Sequence, residues 1–94
     1  LSHFLADTEG YDAELFYLRD VDKREVDFLM AVDRRPWFAV EVKLADTRPS
    51  PALRYFGSRL AIPHLFQVTL EGRRDFVEEG VRVIPAAKFL RGLL

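Results

Sequence analysis

The sequence predicts an α/β fold organised on one mixed β-sheet, and three observations predict it. Extended, largely alternating apolar segments recur at Glu14–Arg19, Glu25–Val32, Trp37–Leu44 and His64–Leu70. Between the third and fourth of these, Ala52–Leu60 carries its apolar residues at helical spacing instead. A strand that returns after a helix pairs parallel to the strand before it, through a right-handed crossover. The expected order is therefore a helix end, a three-strand meander, a helix, a fourth strand and a small appendage.

Each element has a local reason. Leu1, Phe4 and Leu5 read as the last turn of an apolar helical face, so the first helix is expected to be truncated. The chain is read as a single domain, 1–94, cut from something longer. Asp7 to Asp12 is polar and contains Gly10, and Glu14-Leu15-Phe16-Tyr17-Leu18-Arg19 opens the first strand. Asp20 to Arg24 is a charged turn. In the second strand Val26, Phe28 and Met30 are expected on one face, and Glu25, Asp27 and Leu29 on the other. Asp33-Arg34-Arg35-Pro36 breaks the pattern, and Trp37–Leu44, the most apolar run, is expected at the centre of the sheet. Ser50 suits an N-cap and Pro51 the first helical position, with Leu53, Phe56 and Leu60 forming the buried stripe. Pro63 closes that helix. Gly72–Gly80 is a charged connection, Val81–Ile84 is extended, and Pro85 opens a closing helix over Ala86–Leu94.

Composition narrows the function classes. The 94 residues are 49% apolar, enough for one small core. There is no cysteine, which excludes disulfides and thiolate metal sites and is compatible with a reducing, cytoplasmic setting. No apolar run approaches the roughly 20 residues of a membrane span. A net charge of −1 gives no general attraction to a polyanion, so nucleic-acid affinity must come from a local patch. Arg34-Arg35, Arg54, Arg59 and Arg73-Arg74 are the candidates.

The chemistry centres on Glu41-Val42-Lys43. Side chains alternate along a strand, so Glu41 and Lys43 share a face, about 7 Å apart at the backbone, while Val40, Val42 and Leu44 take the other. Asp27 lies in the preceding strand. Metal-assisted phosphodiester hydrolysis uses one or two hard carboxylate ligands with open positions for water and a phosphate oxygen. Asp27 and Glu41 are such a pair for Mg2+ or Mn2+, and Lys43 can orient the attacking water or stabilise charge on the phosphate. Glu41 and Lys43 pairing only with each other, on a solvated sheet face, is the alternative reading of the same residues. Gln67 and Thr69 share a face of the fourth strand, so Gln67 either aligns water or phosphate or is a solvated strand residue. Glu9, Glu14 and Glu25 are weaker acidic candidates, and His3 and His64 have no ligand spacing.

The segments Tyr17-Leu18-Arg19-Asp20, Lys23 to Leu29, Trp37 to Lys43, Leu53-Arg54-Tyr55-Phe56 and Ile62-Pro63-His64 together resemble the C-terminal domain of unknown function, DUF4143 type, attached to prokaryotic AAA+ ATPases. That domain is similar in turn to the PD-(D/E)xK restriction-endonuclease-like fold, whose core runs helix, three strands, helix, strand. The resemblance implies Asp27 and Glu41 as metal ligands and Lys43 as the catalytic lysine. It also implies an N-terminal ATPase module as partner and a further acidic residue on the missing helix. No G-x-x-x-x-G-K-[ST] occurs in the chain, so no ATP site of its own is expected. Two functions are therefore expected: a metal-dependent nuclease-like domain acting on nucleic acid, or a non-catalytic binding or regulatory module of the ATPase. Sheet surface exposed by the missing helix predicts a possible homodimer.

Overall fold

The computed structural model describes residues 2–8, 11–19, 25–45 and 47–93. Its elements are β1 (Ser2–Thr8), β2 (Tyr11–Arg19), β3 (Glu25–Val32), β4 (Arg35–Lys43), α1 (Pro51–Arg59), β5 (His64–Thr69), β6 (Phe76–Glu78), β7 (Val81–Pro85) and α2 (Ala86–Leu93). The seven strands form one sheet in the order β1-β2-β3-β4-β5-β7-β6. β1 to β4 run antiparallel, β4 pairs parallel with β5, and β5 pairs parallel with β7. The architecture is thus mixed α/β, with β4 central and β5 parallel to it as its sequence predicts.

Two expectations fail at the ends. Where a helix end was expected, Ser2–Thr8 is a strand paired with β2 over its full length, from Ser2 opposite Tyr17 to Thr8 opposite Tyr11. Three apolar residues within five do not separate a helix turn from a strand, and pairing with an extended neighbour decides the matter. The meander consequently has four strands, and Asp7, Thr8, Tyr11 and Asp12 of the expected polar break belong to β1 and β2. The connection expected at Gly72–Gly80 contains β6, which forms a hairpin with β7 at the sheet edge. Its connecting residues Glu79 and Gly80 both take positive φ, 52° and 78°, as a two-residue hairpin requires. The charged turn Asp20–Arg24 lies outside the described residues.

The β3–β4 hairpin uses the same device with no glycine. Val32 pairs with Arg35, and Asp33 and Arg34 between them have φ of 50° and 67°. A left-handed residue with a Cβ costs about 1–2 kcal/mol. Arg34→Gly, which gives the Asp–Gly pair such turns favour, is therefore expected to stabilise the fold by about 1 kcal/mol. The melting temperature should rise by roughly 4–8 °C. An unchanged or lower melting temperature in calorimetry would show that Arg34 makes a compensating contact.

Each sheet face is covered by one helix. On the α1 face, Leu18, Val26, Leu29, Ala39, Leu53, Phe56, Ile62 and Val81 form a core cluster. On the α2 face, Phe38, Val40, Val68, Ile84 and Phe89 form the other, with edge-to-face contacts joining Phe38 to Phe28, Phe66 and Phe89. α1 starts as its sequence predicts: the Ser50 hydroxyl accepts from the Leu53 N–H at 3.3 Å, with Pro51 directly after it. Its buried stripe is Leu53, Phe56 and Gly57, whereas Leu60 caps the helix at 37% exposure. Gly57 permits close packing: a Cβ there would lie 2.5 Å from Leu65 Cδ1 of β5.

A bulge in β3 overturns its expected alternation. Phe16 pairs with Leu29 and Leu18 with Val26, so Asp27 and Phe28 together face the single residue Tyr17. Val26 and Leu29 both enter the α1-face cluster, and Phe28 packs against the α2-face cluster. The bulge removes Asp27 from the regular pleat and leaves it exposed. A second irregularity in β4, with Met30 opposite Phe38 and Ala31 opposite Pro36, accommodates the strand proline. It leaves Trp37 at 50% exposure beside the buried Phe38.

Candidate functional site

The candidate site forms where the parallel strands end on the α1 face. Glu41 pairs in register with Gln67, Lys43 with Thr69, and Gln67 with Val83 of β7. Paired residues share a face, so Glu41, Lys43, Gln67 and Thr69 lie on one surface next to the N-terminus of α1. In open α/β sheets this end of the strands is where ligands bind.

Glu41 and Lys43 are brought together as an ion pair, Lys43 Nζ to Glu41 Oε1 at 3.3 Å. Burial there inverts the pattern expected of an apolar strand. The Glu41 side chain is only 12% exposed, whereas Val42 and Leu44 on the other face are 40% and 62% exposed. The second carboxylate oxygen, Oε2, is buried with no hydrogen-bond partner, and so is the Thr69 hydroxyl on the neighbouring strand. Buried polar atoms are almost always satisfied, since desolvation without a bond costs about 1–3 kcal/mol. Two such atoms on adjacent strands of one face mark a place suited to a polar ligand.

Asp27 reaches the same strand by a different route. The β3–β4 pairing stops at Phe28 opposite Val40, and the Asp27 carboxylate takes over beyond it, with Oδ2 accepting the Val42 N–H. The bulge aims it there. Asp27 is therefore bonded one residue from Glu41, and its other oxygen meets no partner among the described residues. No group of three His, Asp or Glu side chains suited to a metal ion occurs among the described residues.

Gln67 is neither a solvated strand residue nor a group free to align water. It is fully buried. Its Oε1 accepts the Ser50 N–H at 2.7 Å, and its Nε2 donates to Thr47 Oγ1 at 2.9 Å and to the Arg48 carbonyl at 3.1 Å. It fastens the loop that leads into α1. The available signal was a long amide between Phe66 and Val68 in a buried strand, because such a group needs fixed partners.

The arginine candidates disperse. Arg54 pairs with Glu79 at 2.8 Å, and Arg59 lies over the Tyr55 ring. Arg74 stacks over Phe76, 4.5 Å from its centroid. Arg82, which the sequence reading passed over, joins Lys88 on Asp75. Their hydrogen bonds hold the Asp75 carboxyl well below the usual carboxylate range, and the bond to Asp75 pushes Arg82 up. This cluster ties β7 and α2 to the segment before β6 and does not touch Glu41. His64 is exposed at the start of β5, opposite Phe38, and lines a separate hollow of about 420 Å³ with Trp37 and Phe89. Glu14 is half-buried beside another hollow on the α1 face. The side chains of His3, Glu9 and Glu25 lie outside the described residues.

No helix among the described residues is long and apolar enough to cross a membrane. Among known families, the model described as a domain of unknown function (DUF4143) matches residues 1–89. No curated protein and no solved structure matches the chain.

Proposed function

The chain belongs to the DUF4143 family of domains of unknown function, and within that family we propose a PD-(D/E)xK nuclease-like role: divalent-metal-dependent hydrolysis of nucleic-acid phosphodiesters. One observation carries the reading. Glu41 has one oxygen fixed by Lys43 and the other buried and unpartnered. Asp27 offers a comparable arrangement, with one oxygen fixed by a backbone N–H and one open.

These donors fit a small hard cation. Mg2+ is commonly held by one or two carboxylates and keeps several waters, so a third protein ligand is not required. Asp27 and Glu41 would hold it, and the bound ion would polarise the phosphate and acidify a water. The chain's own residues do the positioning. Lys43 holds the Glu41 carboxylate in one orientation and keeps further N–H donors for a phosphate oxygen or the attacking water. Thr69 adds a hydroxyl on the neighbouring strand. Gln67, by fixing the loop before α1, sets the wall of the site.

A second reading, a non-catalytic binding or regulatory module of an N-terminal ATPase in a longer chain, draws on another observation. Asp27 already serves the sheet, and Glu41 and Lys43 already satisfy each other in part. Titration calorimetry with Mn2+ separates the two. The nuclease reading expects saturable binding that weakens tenfold or more in Glu41→Gln, together with metal-dependent cleavage of single-stranded, duplex or branched DNA or RNA. Binding no greater than that to buffer, or equal in wild type and Glu41→Gln, leaves the second reading.

A further inference from the structure

A hollow of about 320 Å³ opens on the α1 face beside the candidate site, lined by Thr47, Arg48, Arg74, Phe76 and Glu78. Its position follows from the register. Glu41 pairs with Gln67, Gln67 with Val83, and Val83 with Phe76, so Phe76 and Glu41 lie on one face three strands apart. At the usual strand spacing that is about 14 Å. Gln67 links the two, since it lies beside Glu41 and its amide holds the Thr47 hydroxyl that lines the hollow. On the strand between them is the buried, unpartnered Thr69 hydroxyl, two residues beyond Gln67.

Arg48 and Arg74 both line this hollow, and among the described residues no ion pair joins either of them to a carboxylate. Arg74 lies flat on the Phe76 ring, which fixes its plane and leaves its N–H edge for an acceptor. The loop carrying Arg48 is anchored by Gln67 through the Thr47 hydroxyl and the Arg48 carbonyl, and the Arg48 side chain is exposed. Other cations near this end are engaged: Lys43 with Glu41, Arg54 with Glu79, and Arg82 and Lys88 with Asp75. Glu78 lies on the rim. The hollow therefore carries a local surplus of one positive charge on a chain whose net charge is −1.

We propose that Arg48 and Arg74 form a phosphate-binding subsite that grips the backbone of a nucleic-acid strand a few nucleotides from the bond presented to Glu41 and Lys43. This deepens the nuclease-like reading and rests on it for the identity of the strand. It needs no metal. Paired guanidinium groups bind phosphate oxygens through directional N–H donors, and each phosphate contact on a single strand contributes about 0.7 to the salt slope of binding.

The test is fluorescence anisotropy with a fluorescein-labelled thymidine oligonucleotide, in EDTA, across a series of salt concentrations. Wild-type protein should bind, and Glu41→Gln, which releases Lys43 from its ion pair, should bind at least as tightly. Arg48→Ala and Arg74→Ala should each reduce the salt slope by about 0.7, with weaker binding at low salt and unchanged melting temperatures. Arg59→Ala, which removes a charge elsewhere, should leave the slope unchanged. Absence of oligonucleotide binding, or an unaltered slope in Arg48→Ala and Arg74→Ala, overturns the subsite. A protein that binds in this way but neither takes up Mn2+ nor cleaves retains the subsite and loses the catalytic reading. One that cleaves with an unaltered slope does the reverse. If Arg74→Ala unfolds the edge hairpin, Arg74→Lys keeps the charge without the planar fork and should retain the slope while weakening binding.

Discussion

Replacing Gln67 with leucine lowers the unfolding free energy by about 3 kcal/mol, the expected result of leaving several buried polar groups without partners. Leucine keeps most of the volume, so the loss is not a cavity effect. The Ser50 N–H, buried against Gln67 Oε1, loses its acceptor, and Thr47 and Arg48 lose their donor. Each such vacancy costs about 1–3 kcal/mol, with the smaller value for the half-buried loop atoms. Urea unfolding measures the change as a lower midpoint at unchanged slope. Gln67→Glu keeps the acceptor for Ser50 but buries a carboxylate against the Arg48 carbonyl, and at neutral pH it should lose at least as much stability as Gln67→Leu. A loss below about 0.5 kcal/mol in Gln67→Leu would mean that the loop before α1 is held by other contacts.

The second large effect expected under the proposed nuclease-like role is at Asp27. Its carboxylate accepts the Val42 N–H, and an asparagine oxygen can do the same. Asp27→Asn is therefore expected to change stability by less than about 0.5 kcal/mol. A side chain that also holds the metal loses a charged ligand in the same substitution. Metal-dependent cleavage should then fall at least about a hundredfold, since even groups that only orient metal ligands are worth 10–100-fold. Asp27→Ala removes both roles and should lose stability as well, by about 1 kcal/mol. Full cleavage in a folded Asp27→Asn would reduce Asp27 to the closing bond of the β3–β4 ladder. Rates and urea midpoints on the same preparations keep the two roles apart.

Much of the fold is legible in the chain because its signals are local. The Ser50-Pro51 start of α1, the apolar period of Leu53 and Phe56, and the two-residue rhythm of β4 and β5 each sit within a few residues. The parallel pairing of β4 and β5 follows from the helix between them. The first strand was misread because Leu1, Phe4 and Leu5 carry no period long enough to separate helix from strand. β6 was missed because three residues in a charged stretch become a strand only when β7 supplies a partner.

The candidate site divides in the same way. Glu41 and Lys43 share a face because strand geometry alone puts them there, and no tertiary contact is needed to infer it. The position of Asp27 depends on a bulge opposite Tyr17, which arises from how β2 and β3 align and reverses the simple alternation around it. The role of Gln67 depends on a loop 17 residues earlier in the chain folding back over it. By itself the sequence determined the α/β class, the start of α1 and the shared face of Glu41 and Lys43, all set by local backbone geometry. The tertiary structure alone decided the seven-strand order, the bulge that carries Asp27 to Val42, and the buried, unpartnered oxygens of Glu41 and Thr69. Strand register and burial arise between segments distant in the chain, and no local periodicity records them.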